Sequence, residues 1–98
     1  MEIIKEKNGQ TLTITLVGRL DTGAAPDLED ELYDSMDGIT ELIFEFKDLE
    51  YMTSAGIRVL VAAQQEMLDK GTMRVRNVCG EIMEIFEMTG LDEVFVIE

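Results

Sequence analysis

Histidine is absent from this chain of 98 residues, cysteine occurs once, and only eight side chains are cationic. Each shortage excludes something. Without histidine, a serine nucleophile lacks its usual general base. A single cysteine, Cys79, can form neither an internal disulfide nor a metal site of paired cysteines, and it reads as a small thiol packed at the start of a helix. Eight Lys and Arg stand against 21 Asp and Glu, giving a formal net charge of −13, and the cations form no run. That field repels nucleic acid and anionic membrane surfaces alike. No apolar stretch approaches the roughly 20 residues that a membrane-spanning helix needs. The N-terminus, Met1-Glu2-Ile3-Ile4-Lys5, has no extended apolar core followed by small residues, so it does not read as a signal peptide and the expected location is the cytoplasm.

The carboxylates carry no metal signature. Asp27, Glu29, Asp30, Glu31 and Asp34 are spread around the outside of one helix and lack the alternating pattern and central glycine of a calcium loop, so no metal is expected. The glycines are dispersed, with no Gly-Lys-Ser or Gly-x-Gly-x-x-Gly sequence. Nucleotide binding therefore has no motif behind it, and no cofactor is expected.

What is present is a single domain, residues 1–98, 46% apolar and long enough for one core. Asn8-Gly9 between residues 2–7 and the alternating Thr11-Leu12-Thr13-Ile14-Thr15-Leu16-Val17 predicts a hairpin with a tight primed turn. Thr22 and Gly23 as caps, Pro26 in a first turn, and Leu28, Leu32 and Met36 at four-residue spacing predict a helix ending at Asp37-Gly38. Residues 40–46 alternate little and suit an interior strand covered on both faces. A second helix over about 54–70 puts Ile57, Leu60, Val61, Met67 and Leu68 on one stripe before Gly71 ends it. Residues 72–76 alternate as a strand with one wet face, 80–88 form a third helix, and 94–97 close the chain as a strand. The order β-β-α-β-α-β-α-β predicts an α/β fold: a mostly parallel, twisted sheet opened by an antiparallel hairpin, with three main helices and right-handed crossovers. Sites in such sheets gather at the carboxyl ends of strands. The Asp21-Thr22-Gly23 and Thr53-Ser54 segments both belong to that edge.

The most informative stretch is Tyr51-Met52-Thr53-Ser54-Ala55-Gly56-Ile57-Arg58-Val59-Leu60, which presents two adjacent hydroxyls where the second helix begins. Serine there can act as a cap, a nucleophile or a phosphate acceptor. Catalysis has little behind it: the hydrolase elbow requires glycine two residues before the serine, where Met52 stands, and Lys47 and Lys70 are the only lysines nearby. A capping hydroxyl contributes on the order of 1 kcal/mol. A phosphate on Ser54 would instead place about two negative charges at the positive end of the helix, with Arg58 one turn away. Ala55 and Gly56 leave the hydroxyl unshielded, and Gly56, a weak helix former, points to another surface approaching closely. Met52 is read as an exposed, adaptable contact beside the hydroxyls.

With these residues in view the chain resembles the STAS family, and within it the small bacterial anti-sigma factor antagonists. The likeness rests on Val17-Gly18-Arg19-Leu20-Asp21, on Leu49-Glu50 leading into the stretch just quoted, and on Met88-Thr89-Gly90-Leu91 before the last strand. The resemblance implies a non-enzymatic binding module that holds an anti-sigma factor, a serine-protein kinase, and so frees a sigma factor for transcription. It also implies that the kinase phosphorylates the serine at the second helix start, which is Ser54 here, and that a phosphatase reverses the step. Asp21 matches an aspartate common at that edge. Many antagonists carry an aspartate just before the acceptor; here it is Thr53, which makes Thr53 the alternative acceptor. The implied contact surface is Asp21, Thr22, Met52, Thr53, Ser54, Ala55, Gly56 and Arg58. A scaffold or small-ligand domain without phosphorylation, in which Thr53 and Ser54 only cap, is the other reading.

Overall fold

A computed structural model describes all 98 residues and builds them around a long central strand. The chain opens with β1 (Glu2–Asn8) and β2 (Thr11–Leu20), paired antiparallel with Asn8 opposite Thr11. The turn is thus Gly9-Gln10, one residue later than the Asn8-Gly9 pair. Gly9 has a φ of +64° and Gln10 is not in the positive-φ region, the pattern of a primed turn with glycine first. There follow α1 (Ala25–Ser35), β3 (Glu41–Met52), α2 (Ser54–Met67), β4 (Thr72–Arg76), α3 (Gly80–Thr89), a 3₁₀ turn (Leu91–Glu93) and β5 (Val96–Ile97).

The five strands lie in the sheet in the order of the sequence, and only the hairpin is antiparallel. Each parallel connection therefore steps one strand over in the same direction, and right-handed crossovers put all the helices on one face. The register displays the result. Rows Leu12, Leu42, Met73 and Ile14, Phe44, Val75 are buried, whereas rows Thr11, Glu41, Thr72 and Thr15, Glu45, Arg76 are partly or fully exposed. Residues 40–46 are accordingly covered on one face, not both. Ile43 is buried on the open face, in register with Thr13 and Arg74 of its neighbours. The near-continuous apolar run came from that residue, not from a second helical layer.

Beneath the helices lies one core of 24 residues, in which Phe44 and Phe46 sit with ring centroids 5.9 Å apart and Phe86 meets Phe95 edge-on at 5.4 Å. Three local features depart from the sequence pattern. α2 buries Gly56, Val59, Leu60, Ala63 and Met67, leaving Leu68 70% exposed, because two small residues complete a stripe that large side chains alone do not reveal. Gly71 is required by space: a Cβ there would lie 1.9 Å from the Thr40 carbonyl oxygen. The last strand is two residues rather than four, since residues 91–93 coil into the 3₁₀ turn and Phe95 turns inward against Phe86.

Candidate functional site

At the carboxyl edge of the sheet, the ends of β2 and β3 run side by side to Leu20 opposite Met52. Two register shifts, between Thr15 and Val17 and between Gly18 and Arg19, bend this end of the ladder, and Gly18 takes up a φ of +107° there. Beyond it the chains diverge into α1 and α2, tied together by two contacts. Thr53 N–H donates to the Leu20 carbonyl at 3.0 Å, and the Thr22 and Thr53 hydroxyls stand 3.5 Å apart.

Asp21 closes its own loop. Its Oδ1 accepts from Ala24 N–H at 2.8 Å, and its carbonyl accepts from Ala24 and Ala25 N–H at 3.2 and 2.9 Å. Asp21, rather than Thr22 or Gly23, thus closes the turn that leads into α1, because an aspartate reaches three residues forward into an open turn; the N-cap residue itself, Ala24, has no side-chain capping bond. Thr22 is left exposed and free to meet Thr53.

Thr53 is the N-cap residue of α2 in extended conformation, and its side chain makes no capping bond. Ser54 follows as the first helical residue, exposed, with its hydroxyl in none of the side-chain hydrogen bonds of the protein. Ile57 N–H donates to the Thr53 carbonyl at 3.0 Å, so the amides of Ser54, Ala55 and Gly56 have no intrahelical acceptor and lie at the positive end of the helix dipole. The hydroxyl pair does not cap the helix. One is half-buried against Thr22; the other is uncovered.

Two expected contact residues point the other way. Met52 is 1% exposed: it ends the ladder opposite Leu20 and its unbranched side chain fills the core. Gly56 is also buried, and the close neighbour it accommodates is this chain's own Leu20, whose Cγ would stand 2.6 Å from an added Cβ. Both support the surface from beneath. Exposed or half-buried around Ser54 remain Asp21, Thr22, Thr53, Ala55 and Arg58.

Sequence reasoning missed the cleft next to this turn. A depression of about 240 Å³ opens between α1 and α2, lined by Thr22, Ala25, Pro26, Ala55, Arg58 and Val59, with Glu29 on its rim. The recurrence of alanine on both helices, at 24, 25, 55, 62 and 63, was the available signal. Beside the site, Arg19 lies over the Tyr51 ring at 5.1 Å from its centroid, stiffening the outer rim. No three or more His, Cys, Asp or Glu side chains gather as metal ligands, and no helix is long and apolar enough to cross a membrane. Cys79 is half-buried at the N-cap of α3, its Sγ 4.0 Å from the Glu50 carbonyl.

This geometry has relatives. The chain is 25% identical over 90 residues to the anti-sigma-B factor antagonist of Bacillus subtilis, covering 91% of this chain and 83% of that protein. It is 28% identical over 98 residues to the anti-sigma-B factor antagonist of Listeria monocytogenes, covering 97% and 85%. Among solved structures, the Bacillus cell fate determinant SpoIIAA in its phosphorylated form superposes with a TM-score of 0.79 at 21% identity, over 99% of this chain and 91% of that one. The STAS domain model matches residues 2–98, and the chain belongs to the STAS domain family.

Proposed function

We propose that this protein is an anti-sigma factor antagonist: it docks on an anti-sigma factor through the first turn of α2 and the Asp21–Thr22 loop, and phosphorylation of Ser54 turns that docking off. The observation that carries the reading is the uncovered, unbonded hydroxyl of Ser54 at the positive end of a 14-residue helix. The names of the sequence relatives support the antagonist role, and the existence of a fold neighbour in a phosphorylated form supports the modification. The anti-sigma factor is itself the serine kinase in this scheme, and a separate phosphatase restores the active form.

The physics is a matter of where the dianion sits. Within the free protein it is tolerated, because orphan amides and the dipole stabilise negative charge there, with Arg58 one turn along. On docking it must shed water and face whatever acidic group the partner presents, which costs affinity. Ser54 is favoured over Thr53 because Thr53 is half-buried and turned toward Thr22. In this scheme the hydroxyl receives its phosphoryl group from the kinase, a role that needs no histidine base within this chain.

The test is incubation with the anti-sigma kinase and ATP, followed by peptide mapping. One phosphoryl group on Ser54 is expected, and none on a Ser54→Ala variant. Ser54→Glu is expected to bind the kinase at least about tenfold more weakly while its unfolding free energy stays within roughly 0.5 kcal/mol of wild type. Phosphate found elsewhere, or undiminished binding by Ser54→Glu, refutes the switch.

A further inference from the structure

The depression beside Ser54 is the upper half of a longer trough. A second depression of about 130 Å³ continues it between the same helices, and the two share Glu29 and Val59. Its floor is apolar and short: Leu32, Val59, Ala62 and Ala63 below, Ala25 and Ala55 above. Its rim is acidic and aromatic, with Glu29, Glu66 and a Tyr33 that is 88% exposed. Arg58, at the upper end, is the one cation in its lining.

Size argues against a metabolite. Each depression falls below the roughly 300–1,000 Å³ typical of small-molecule pockets, and both are open to solvent. A short-floored trough along two parallel helices instead accepts the side chains of a docked peptide segment, in the manner of a helix laid in a groove. Charge selects among segments: the molecule carries −13, and α1 adds Asp27, Asp30 and Asp34 beyond the rim, so the occupant's flanks must be basic.

We propose that the α1–α2 trough is a second docking site for the same anti-sigma factor, occupied by a segment that seats apolar side chains over Ala55, Val59 and Ala62 and pairs Lys or Arg with Glu29 and Glu66. This rests on the antagonist reading above and deepens it. The trough begins at the Ser54 turn, so one continuous surface spans both, and Ala55 lies in each. Phosphorylation then acts at one end of an interface whose other end it leaves intact. The modified protein keeps residual affinity and can be found again by the partner.

The experiment measures binding of the intact chain to the anti-sigma factor by calorimetry, with Ala62→Arg and a Glu29→Lys, Glu66→Lys double variant. All three positions are solvent-exposed, so the fold should survive, and equal thermal midpoints check that it does. Affinity is expected to fall about tenfold or more for each variant. Wild-type binding with variants that bind as well as wild type overturns the trough and leaves the antagonist reading intact. Absence of wild-type binding overturns both. Sedimentation supplies the remaining outcome: a wild-type dimer that Ala62→Arg splits would show that a second copy of this chain covers the trough, which also overturns the proposal.

Discussion

Two glycines separate steric need from helix propensity. Gly56 faces Leu20, with Cγ at 2.6 Å and Cδ2 at 2.9 Å from a built Cβ, so a side chain pushes on another side chain in a core where Leu20 is fully buried. Gly71 faces the Thr40 carbonyl at 1.9 Å, and the backbone of Thr40 is held in place by its own bonds: its N–H donates to Gln10, and its carbonyl accepts from Thr72 N–H at 3.0 Å. Alanine in a helix gains up to about 1 kcal/mol over glycine, which offsets part of the clash at position 56 only. Gly56→Ala should therefore cost about 1 kcal/mol net and Gly71→Ala about 3 kcal/mol, read from urea unfolding midpoints. The reverse order would mean that Leu20 cannot yield and that the Thr40 backbone can. Gly56 also marks where sequence reading went astray. A glycine in a first turn does signal a close surface, but a sequence cannot say whose, and here the surface is the chain's own β2.

Strands and helices alternate as the hydrophobic periods predicted, because period 2 in β2 and period 3.6 in the helices are local properties written every few residues. What those periods do not contain is strand order. A strand flanked by helices in sequence can be interior to a two-layer or a three-layer arrangement, and only the pairing of β2 with β3 and β3 with β4 decides it. The candidate site was legible in the same uneven way: Ser54 stands where the motif put it, Met52 does not, since the bend at the end of the β2–β3 ladder was not evident in the alternation. One-sided coverage makes neighbouring residues of one strand unequal. Ile14 is fully buried under the helices; Thr13, beside it, lies half-exposed on the open face. Ile14→Ala should cost about 2–5 kcal/mol and Thr13→Ala under about 1 kcal/mol. Equal costs in chemical denaturation would indicate that something covers the open face in solution.

Across the whole molecule, charge is poorly neutralised. Of eight cations, Lys5, Lys70, Arg74 and Arg76 form ion pairs, and these engage only Glu31, Glu41, Glu66 and Glu98 among 21 carboxylates. Arg74 spans Glu41 at 3.5 Å and Glu98 at 3.8 Å, and Arg76 reaches Glu98 at 3.4 Å, tying β5 to the sheet through the last residue of the chain. All these pairs are partly exposed, so each contributes about 0–1 kcal/mol and fades as salt is added. Opposing them is the mutual repulsion of a −13 surface, which compaction worsens and the same salt relieves. With five weak contacts against a far larger excess of like charge, repulsion should dominate. Raising sodium chloride from about 0.02 to 0.5 M shortens the Debye length from more than 20 Å to about 4 Å, and should stabilise the fold by about 1 kcal/mol. For a domain of this size that is a rise of roughly 4–8 °C in thermal midpoint. Docking must respond with the opposite sign: an acidic face meeting a basic segment loses electrostatic steering in salt, so the association rate with the anti-sigma factor should fall steeply over the same range while the fold grows firmer. Stopped-flow rates and thermal scans on one salt series read both. If the two moved together, the partner's contact face would not be basic, and the charge argument for what enters the α1–α2 trough would fail with it.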